Sequence, residues 1–323
     1  MILQQKELSI VGVIGKLVIW HLERVLIVAA ILAILLFYLW LFGWLNRGNR
    51  RCCRPNQDRQ VKNSPLQGKN IFFLGSSVTK GLAAKGNSFV EFLQVQHAAQ
   101  CIKDAVNGTT LVDNGAKSYV SRLKHFDPKA PCDLFVCQLS TNDATRKSPL
   151  GTLSNSMDPA TFDTKTIYGA IEYIIAYAKS TWGCPVVFFT NPQYNSVRYR
   201  DMVCALKAVA EKWKISVIDL WDNREINTKF NCKPYMNDKI HPTMLGYQQW
   251  TNVMAQQLSQ VLQGKVLTMG EISPVPQKTP KEKRKKTVPD CGAMCVGGLG
   301  HLHSDQCLYV CNHVRHWQSR KQF

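Results

Sequence analysis

The strongest hydrophobic pattern in the chain is an uncharged apolar run from Val25 to Leu45. As a helix, this run is long enough to cross the roughly 30 Å hydrocarbon core of a bilayer. Tyr38, Trp40 and Trp44 gather toward one end, as the residues of an interfacial aromatic belt do. The apolar region of a signal peptide is shorter, about 7–15 residues, and no small-residue cleavage site follows this run. The pattern therefore predicts one retained transmembrane helix.

After this run, short apolar stretches alternate with helical patterns. The stretches that predict strands are Asn70–Leu74, Thr110–Asp113, Asp133–Gln138, Pro185–Thr190 and Ser216–Leu220. Helices are predicted on the apolar stripe from Ile167 to Ala178, from Arg200 to Trp213, and from about Met244 onward. Strands that are apolar throughout are typical of a parallel sheet covered on both faces. The alternation predicts a doubly wound α/β fold, whose ligands meet at the carboxyl ends of the strands.

Composition shifts where these patterns begin and end, and this divides the chain into six segments. They are an N-terminal segment (1–24), a transmembrane helix (25–45), a basic juxtamembrane linker (46–61), the α/β domain (62–265), a Pro/Lys-rich linker (266–290) and a Cys/His-rich C-terminal module (291–323).

The net charge of +18 is concentrated near the two ends of the chain. The clustered basic residues are Arg47, Arg50, Arg51, Arg54, Arg59 and Lys62, then Lys278, Lys281, Lys283, Arg284, Lys285 and Lys286. Basic runs that flank a domain fit an anionic lipid surface better than sequence-specific nucleic-acid recognition. No nucleic-acid motif accompanies them, so a nucleic-acid partner is not expected.

Two opposing signals leave open on which side of the membrane the α/β domain lies. The arginines after the apolar run outweigh the basic residues before it, which by the positive-inside rule puts the α/β domain in the cytoplasm. Cys52 and Cys53 could be palmitoylated on that side. The sequon Asn107–Thr109 would instead be usable in a secretory lumen. On either side, the one apolar run makes the chain an expected single-pass membrane protein.

A candidate nucleophile follows the first predicted strand, in the sequence Gly75-Ser76-Ser77. An α/β sheet presents nucleophiles at such a position, just past a strand end and before a helix. The glycine permits a sharp turn, and the amides that follow can face a developing oxyanion. Taken alone, the triplet is usually only a turn.

Two further blocks carry polar side chains suited to the same chemistry. Asn142, directly after the third predicted strand, has a side-chain amide that can donate to an oxyanion, although such a residue is as often a helix cap. Asp238 and His241 form a D-x-x-H block ahead of the last helix. In this spacing the carboxylate can hold one imidazole nitrogen while the other nitrogen faces a nucleophile.

These blocks, in this order from about Gly68 to Leu262, resemble the SGNH (GDSL-like lipase/esterase) hydrolase family. The resemblance implies a three-layer, flavodoxin-like fold with a central parallel sheet. It also implies that Ser77 is the nucleophile, that His241 is the base and then the acid, and that Asp238 orients His241. The Ser77 amide and Asn142 would line the oxyanion hole.

The sequence departs from the family pattern at three places. Ser76 stands where the family usually has Asp, and Ser140-Thr141 replaces Gly-x before Asn142. The family's glycine block is represented by Gly115, which we expect to supply the second oxyanion amide, with Ser118 as the alternative.

The resemblance implies ester hydrolysis through an acyl-enzyme, with no metal or organic cofactor. The expected substrate is an acyl lipid or an acylated glycan, reached by an enzyme that one helix holds in the membrane. Two alternatives stay open. The same site could carry out acyl transfer, or the chain could be a catalytically silent, membrane-bound scaffold.

The C-terminal module contains twin C-x3-C pairs, Cys291/Cys295 and Cys307/Cys311. One interpretation is a helical hairpin held by two disulfides, which needs an oxidising compartment. Another is a basic tail in which the cysteines do nothing together. A third is a zinc site that draws four ligands from these cysteines and His301, His303 or His313.

Overall fold

The computed structural model describes residues 2–270 of the chain. The predicted C-terminal module, with Cys291, Cys295, Cys307 and Cys311, and most of the predicted linker 266–290 lie outside these residues.

A five-stranded parallel sheet forms the centre of the fold, in the order β2-β1-β3-β4-β5. The strands are β1 (Asn70–Gly75), β2 (Gln100–Ala105), β3 (Leu134–Gln138), β4 (Val186–Phe189) and β5 (Ser216–Ile218). The chain moves outward from β1 to the edge strand β2 and then returns to the other side of β1. The strand order therefore reverses between β1 and β3, where ligands of open α/β sheets bind beyond the carboxyl ends.

Helices cover both faces of the sheet and give three layers. The helices of the domain are α2 (Ser77–Lys80), α3 (Phe89–His97), α4 (Tyr119–Arg122), α5 (Thr141–Arg146), α6 (Ile167–Trp182), α7 (Val197–Trp213) and α8 (Met244–Leu262), and α1 (Ile2–Leu45) precedes them. Side chains alternate between the faces along each strand. Phe72 and Leu74 of β1 therefore pack in the core with α6 and α7, whereas Ile71 and Phe73 pack with α3 and α8. This architecture is the three-layer α/β fold that the sequence predicts.

One predicted strand is wrong. Thr110–Asp113 is not extended in the sheet, and Gln100–Ala105 occupies the second strand position instead. Leu111 and Val112 are buried in the core instead, and the Asp143 carboxylate accepts hydrogen bonds from both of their amides, at 2.7 and 3.3 Å. The true strand lies at a sheet edge and is partly exposed, so it contains Gln, Lys and Asp and lacks a continuous apolar run.

The apolar N-terminal run lies in the single long helix α1, which begins well before Val25. From Trp20 to Leu41 this helix is long and apolar enough to cross a membrane, a test that a signal sequence near an N-terminus also passes. The large apolar side chains of this part, such as Leu26, Phe37 and Trp40, are exposed rather than packed on the domain.

Candidate active site

The turn that bears the candidate nucleophile Ser77, residues 75–79 and here called the nucleophile turn, is tightly packed after β1. A Cβ atom on Gly75 would lie 2.0 Å from Thr79 Oγ1 and 2.9 Å from Gln138 Oε1, so only glycine fits. Ser77 begins α2 at the carboxyl edge of the sheet and is only 5% exposed. The local sequence therefore fixes Ser77 at the point where the strand order reverses.

One buried side-chain amide accepts several hydrogen bonds from this turn. Gln138, the last residue of β3, accepts hydrogen bonds at Oε1 from Ser76 N (3.0 Å) and Thr79 N (3.2 Å). The same oxygen accepts from Thr79 Oγ1 at 2.8 Å and from Ser76 Oγ at 3.4 Å. Gln138 Nε2 is buried and has no partner among the residues that the structure describes. The amide oxygen thus joins both ends of the segment that contains Ser77.

His241 lies against this turn in the loop of residues 232–243, which bears the candidate acid–base pair and is here called the acid–base loop. Its Nε2 is 2.9 Å from Ser77 Oγ, and its Nδ1 is 2.9 and 3.0 Å from the two carboxylate oxygens of Asp238. When Nδ1–H donates to the carboxylate, Nε2 is left as an acceptor for the Ser77 hydroxyl proton. The three side chains form one hydrogen-bonded line that can take a proton from Ser77.

The Asp238 carboxylate is held in its ionised form. Partial burial raises the pKa of Asp238. Amide hydrogen bonds from Ile240 and His241, both 2.8 Å long, and the His241 ring lower this pKa by more than burial raises it. The net result is a pKa below the ordinary value for aspartate. Asp238 therefore stays negatively charged beside the imidazole over the neutral pH range.

The acid–base loop is attached to the sheet through β4. Asn191, two residues after β4 ends, donates from Nδ2 to the Ile240 carbonyl at 3.0 Å. An antiparallel bridge between Met236 and Pro242 closes the loop, and Asn237 N donates to the His241 carbonyl at 2.8 Å. Asn191 therefore helps to set the position of the loop that bears His241.

Asn142 lies near the start of α5 and contacts the turn that follows β2. Its Nδ2 donates to the Thr109 carbonyl at 2.9 Å, and Ser140 Oγ donates to the same carbonyl at 3.2 Å. Buried Arg122 joins this turn to the nucleophile turn, because its Nη2 donates to Gly75 O at 2.8 Å and to Thr109 Oγ1 at 3.1 Å. The residues around Thr109 are thus fixed beside both Asn142 and the Ser77 turn.

Gly115 and Ser118 form their hydrogen bonds with residues other than Ser77, Thr109 and Asn142. Gly115 is exposed, and its amide lies 3.5 Å from Asp113 Oδ1. The Ser118 amide donates to the Gly115 carbonyl at 2.9 Å. Within residues 2–270, no hydrogen bond joins either residue to Ser77 or Asn142. The glycine next to Thr109 is Gly108, with φ of +72°.

Sequence reasoning did not single out Gln138, Asn191 or Arg122. A signal existed for the first two, since each is a polar residue at or just after the carboxyl end of an apolar strand. Arg122 had none, because its ion pair with Asp104 and its contacts with two turns appear only in three dimensions.

Several solved structures are similar to this chain. A protein from Lactobacillus plantarum is 19% identical, with 62% of this chain and 99% of that chain covered and a TM-score of 0.50. A candidate GDSL-like lipase from Bacteroides ovatus is 16% identical, with 60% and 99% covered and a TM-score of 0.46. A family two carbohydrate esterase from Clostridium thermocellum, solved with cellohexaose, is 14% identical, with 60% and 65% covered and a TM-score of 0.45. No curated protein sequence matches the chain.

At this level of identity, the likeness to the Lactobacillus plantarum protein shows the fold alone. The family is shown by sequence, because the family model described as GDSL-like Lipase/Acylhydrolase matches residues 73–249, more than half of the chain. The matched region includes Ser77, Asn142, Asp238 and His241. This chain belongs to the GDSL-like lipase/acylhydrolase family.

Proposed function

We propose that the chain is a membrane-anchored serine ester hydrolase that works through an acyl-enzyme. The observation that carries the proposal is the hydrogen-bonded line from Ser77 Oγ through the His241 ring to the Asp238 carboxylate. A nucleophile, a base and a group that orients the base are arranged here as nucleophilic catalysis requires.

In this mechanism, Ser77 Oγ attacks the ester carbonyl carbon while His241 Nε2 takes the hydroxyl proton. The C–O bond to the leaving alcohol then breaks, and His241 gives its proton to that alcohol. Water repeats the sequence on the acyl-Ser77 ester and releases the acid. Asp238 stays ionised throughout and stabilises the imidazolium that forms in each half-reaction.

The tetrahedral oxyanion would be held by the Ser77 amide, by Asn142 Nδ2 and by one further backbone amide. Each such donor contributes about 3 kcal/mol to stabilising the transition state. For the third donor we propose Gly108 in place of Gly115, because the turn that holds Gly108 is the one bonded to Asn142. The Gly108 amide donates no hydrogen bond within the described part of the chain, so it is free to face an oxyanion.

The membrane anchor in this proposal is the apolar part of α1, Trp20–Leu41. The exposed apolar side chains along it need either a bilayer or removal with the segment. The substrate class that fits an anchored family member is an acyl lipid or an acylated glycan.

The test uses the full chain in detergent with p-nitrophenyl acetate and butyrate. Ser77→Ala and His241→Ala should each lower kcat by about 10⁴-fold or more. Ser180→Ala, on the exposed side of α6, and His125→Ala, which is 60% exposed, are matched controls that should retain activity. A folded wild-type chain with no turnover of either ester, or turnover that survives both active-site substitutions, contradicts the proposal.

A further inference from the structure

The segment between α1 and the catalytic domain is folded onto the domain. Residues 46–53, which we call the collar, form two short 3-10 turns, Arg47–Asn49 and Arg51–Cys53. Gly48 is buried so closely that a Cβ atom there would lie 2.1 Å from Pro234 O and 2.3 Å from Thr243 Oγ1. Cys53 is also buried, in the core cluster that includes α3 and α8. A solvated tether would show none of this packing.

Asn49 ties the collar to both halves of the catalytic site. Its Nδ2 donates to Ala83 O at 2.8 Å, just after the turn that ends the nucleophile helix α2. Its Oδ1 accepts from Met244 N at 2.9 Å. Met244 begins α8, three residues after His241. The collar is therefore bonded to the two chain segments that follow Ser77 and His241.

The collar leaves α1 little freedom relative to the catalytic site. Only Asn46 and Arg47 separate the end of α1 at Leu45 from buried Gly48. Four residues from Leu45 to Asn49 span at most about 14 Å, and three from Met244 to His241 at most about 11 Å. With the Asn49 contact between them, His241 lies within roughly 30 Å of the end of α1. A domain of about 200 residues is roughly 40 Å across, so His241 does not lie at the end of the domain farthest from α1.

The outer side of the collar and the residue that follows it are strongly basic. Arg47, Arg50 and Arg51 of the collar and the adjacent Arg54 are all exposed. None of the four takes part in an ion pair among the residues that the structure describes. A cluster of unpaired arginines directly beside an apolar helix end has the charge and the position to contact anionic lipid headgroups.

We propose that the collar docks the catalytic domain on an anionic bilayer surface and keeps the His241 loop close to the membrane end of α1. The ester that reaches Ser77 would then be carried by an amphiphile that resides in the same bilayer. The reaction in this inference rests on the proposed function, whereas the docking rests only on the collar contacts and on α1 as an anchor.

The first test separates docking from catalysis by loosening the anchor. A flexible Gly/Ser spacer of about eight residues, with an r.m.s. reach of about 15 Å, is inserted between Leu45 and Asn46 of the full chain. The chain is placed in vesicles of equal parts phosphatidylcholine and phosphatidylglycerol. Two probes are compared, namely soluble p-nitrophenyl butyrate and a long-chain p-nitrophenyl ester dissolved in the bilayer.

The spacer should lower turnover of the bilayer ester by about fivefold or more and leave turnover of the soluble ester within about twofold of the wild type, because only the height of the site above the bilayer changes. The same spacer inserted after Gly270 should change neither rate. An unchanged ratio of the two rates in the Leu45–Asn46 variant overturns the inference. Wild-type chain that hydrolyses neither ester would instead contradict the proposed function, and the attachment of the collar to the domain is still decided by the exchange experiment below.

The collar contact itself is tested without any substrate, by amide hydrogen exchange of the full chain in the same vesicles. Asn49→Ala should speed exchange of the Met244 amide by about tenfold or more, since that amide loses its acceptor. Asn56→Ala is the matched control, because the Asn56 side chain bonds only within its own turn, to Asp58. Equal exchange at Met244 in Asn49→Ala and in the wild type would show that the collar does not hold this segment.

The third test varies the charge of the lipid and measures the rate of hydrolysis. Wild-type chain should hydrolyse the bilayer ester faster in vesicles with phosphatidylglycerol than in phosphatidylcholine alone. Replacement of Arg47, Arg50, Arg51 and Arg54 by Gln should remove that preference. Equal rates of the wild type in both vesicles would overturn the anionic part of the inference.

Discussion

The nucleophile turn and the acid–base loop meet at one hydrogen bond, yet they are supported differently. Ser77 is almost fully buried, and the core residue Gln138 binds the backbone on both sides of it. The Asp238 side chain is 50% exposed and its loop is held by a few bonds at its borders, such as those from Asn191 and Asn49.

Because of this difference, we expect substitutions in the two regions to have different effects on stability and activity. The nucleophile turn is part of the core, so a substitution that disturbs it should reduce both stability and activity. The acid–base loop is attached at the surface, so substitutions there should reduce activity while the domain stays folded. The predictions below test this separation.

The largest effect is expected for Asp238→Asn in the acid–base loop. The amide removes the negative charge beside the imidazole and can favour the wrong tautomer of His241, so kcat should fall by about 10³–10⁴-fold. The melting temperature should change little, because Asp238 is half-exposed. Steady-state kinetics and thermal unfolding measure the two quantities, with Asp58→Asn in the exposed turn Gln57–Arg59 as the control. Full activity of Asp238→Asn would remove the carboxylate from the mechanism.

The next largest effect is expected for Gln138→Leu, which removes the side chain that accepts hydrogen bonds from the nucleophile turn. Leucine leaves the Ser76 and Thr79 amides without their buried acceptor, at a cost of about 1–3 kcal/mol for each group. The free energy of unfolding and kcat should therefore fall together, the latter by about 10-fold or more. Urea unfolding and p-nitrophenyl butyrate turnover give the two values.

Gln138→Glu is the matched partner of that variant. It keeps an oxygen acceptor for the same donors and replaces a buried Nε2 that has no partner among the described residues. Turnover should stay within about fivefold of the wild type. A loss of activity as large as that of Gln138→Leu would mean that the acceptor is not what positions Ser77.

A smaller effect is expected for Asn191→Ala, at the border of the acid–base loop. The variant removes one hydrogen bond to the Ile240 carbonyl, worth about 1 kcal/mol. The position of His241 should become less defined, so kcat should fall by about 3- to 10-fold with KM nearly unchanged. A rise in KM with constant kcat would place Asn191 in substrate binding instead.

The smallest effect concerns pH. The folded-state pKa of Asp238 is lowered, so its contribution to stability is present above the unfolded pKa of about 3.9 and is lost as pH falls through the folded value. The difference in unfolding free energy between wild type and Asp238→Asn should therefore shrink below about pH 4. Urea unfolding from neutral to acid pH measures it, and a constant difference would contradict the lowered pKa.

The interior of this fold was predictable because its strands are apolar on both faces. The strands β1, β3, β4 and β5 lie within about one or two residues of their predicted bounds. The edge strand β2 was missed, since one-sided exposure lets Lys103 and Asp104 replace an apolar run. The collar was missed for a related reason. A basic segment reads as solvated, and only the fold shows that Gly48 and Asn49 lie beside Thr243 and Met244.

The candidate site was predictable where short motifs carry it and not where contacts between distant segments do. Ser77, Asp238 and His241 were chosen by motif, and the structure brings them together, although their roles stay a proposal. Gly115 was chosen because it matches the family's glycine block, and its role stays a prediction. The predicted second strand was placed too late in the chain, and Gly108, which we propose as the third donor, follows the real β2.

The most direct test of the central claim is reaction of the full chain with a fluorophosphonate probe, followed by peptide mapping. An activated serine displaces fluoride from phosphorus, and the adduct then stays on the enzyme. The account predicts an adduct on Ser77 that is absent from Ser77→Ala and forms far more slowly in His241→Ala. A folded chain that gives no adduct, or an adduct on another residue, would contradict the claim that Ser77 is an activated nucleophile.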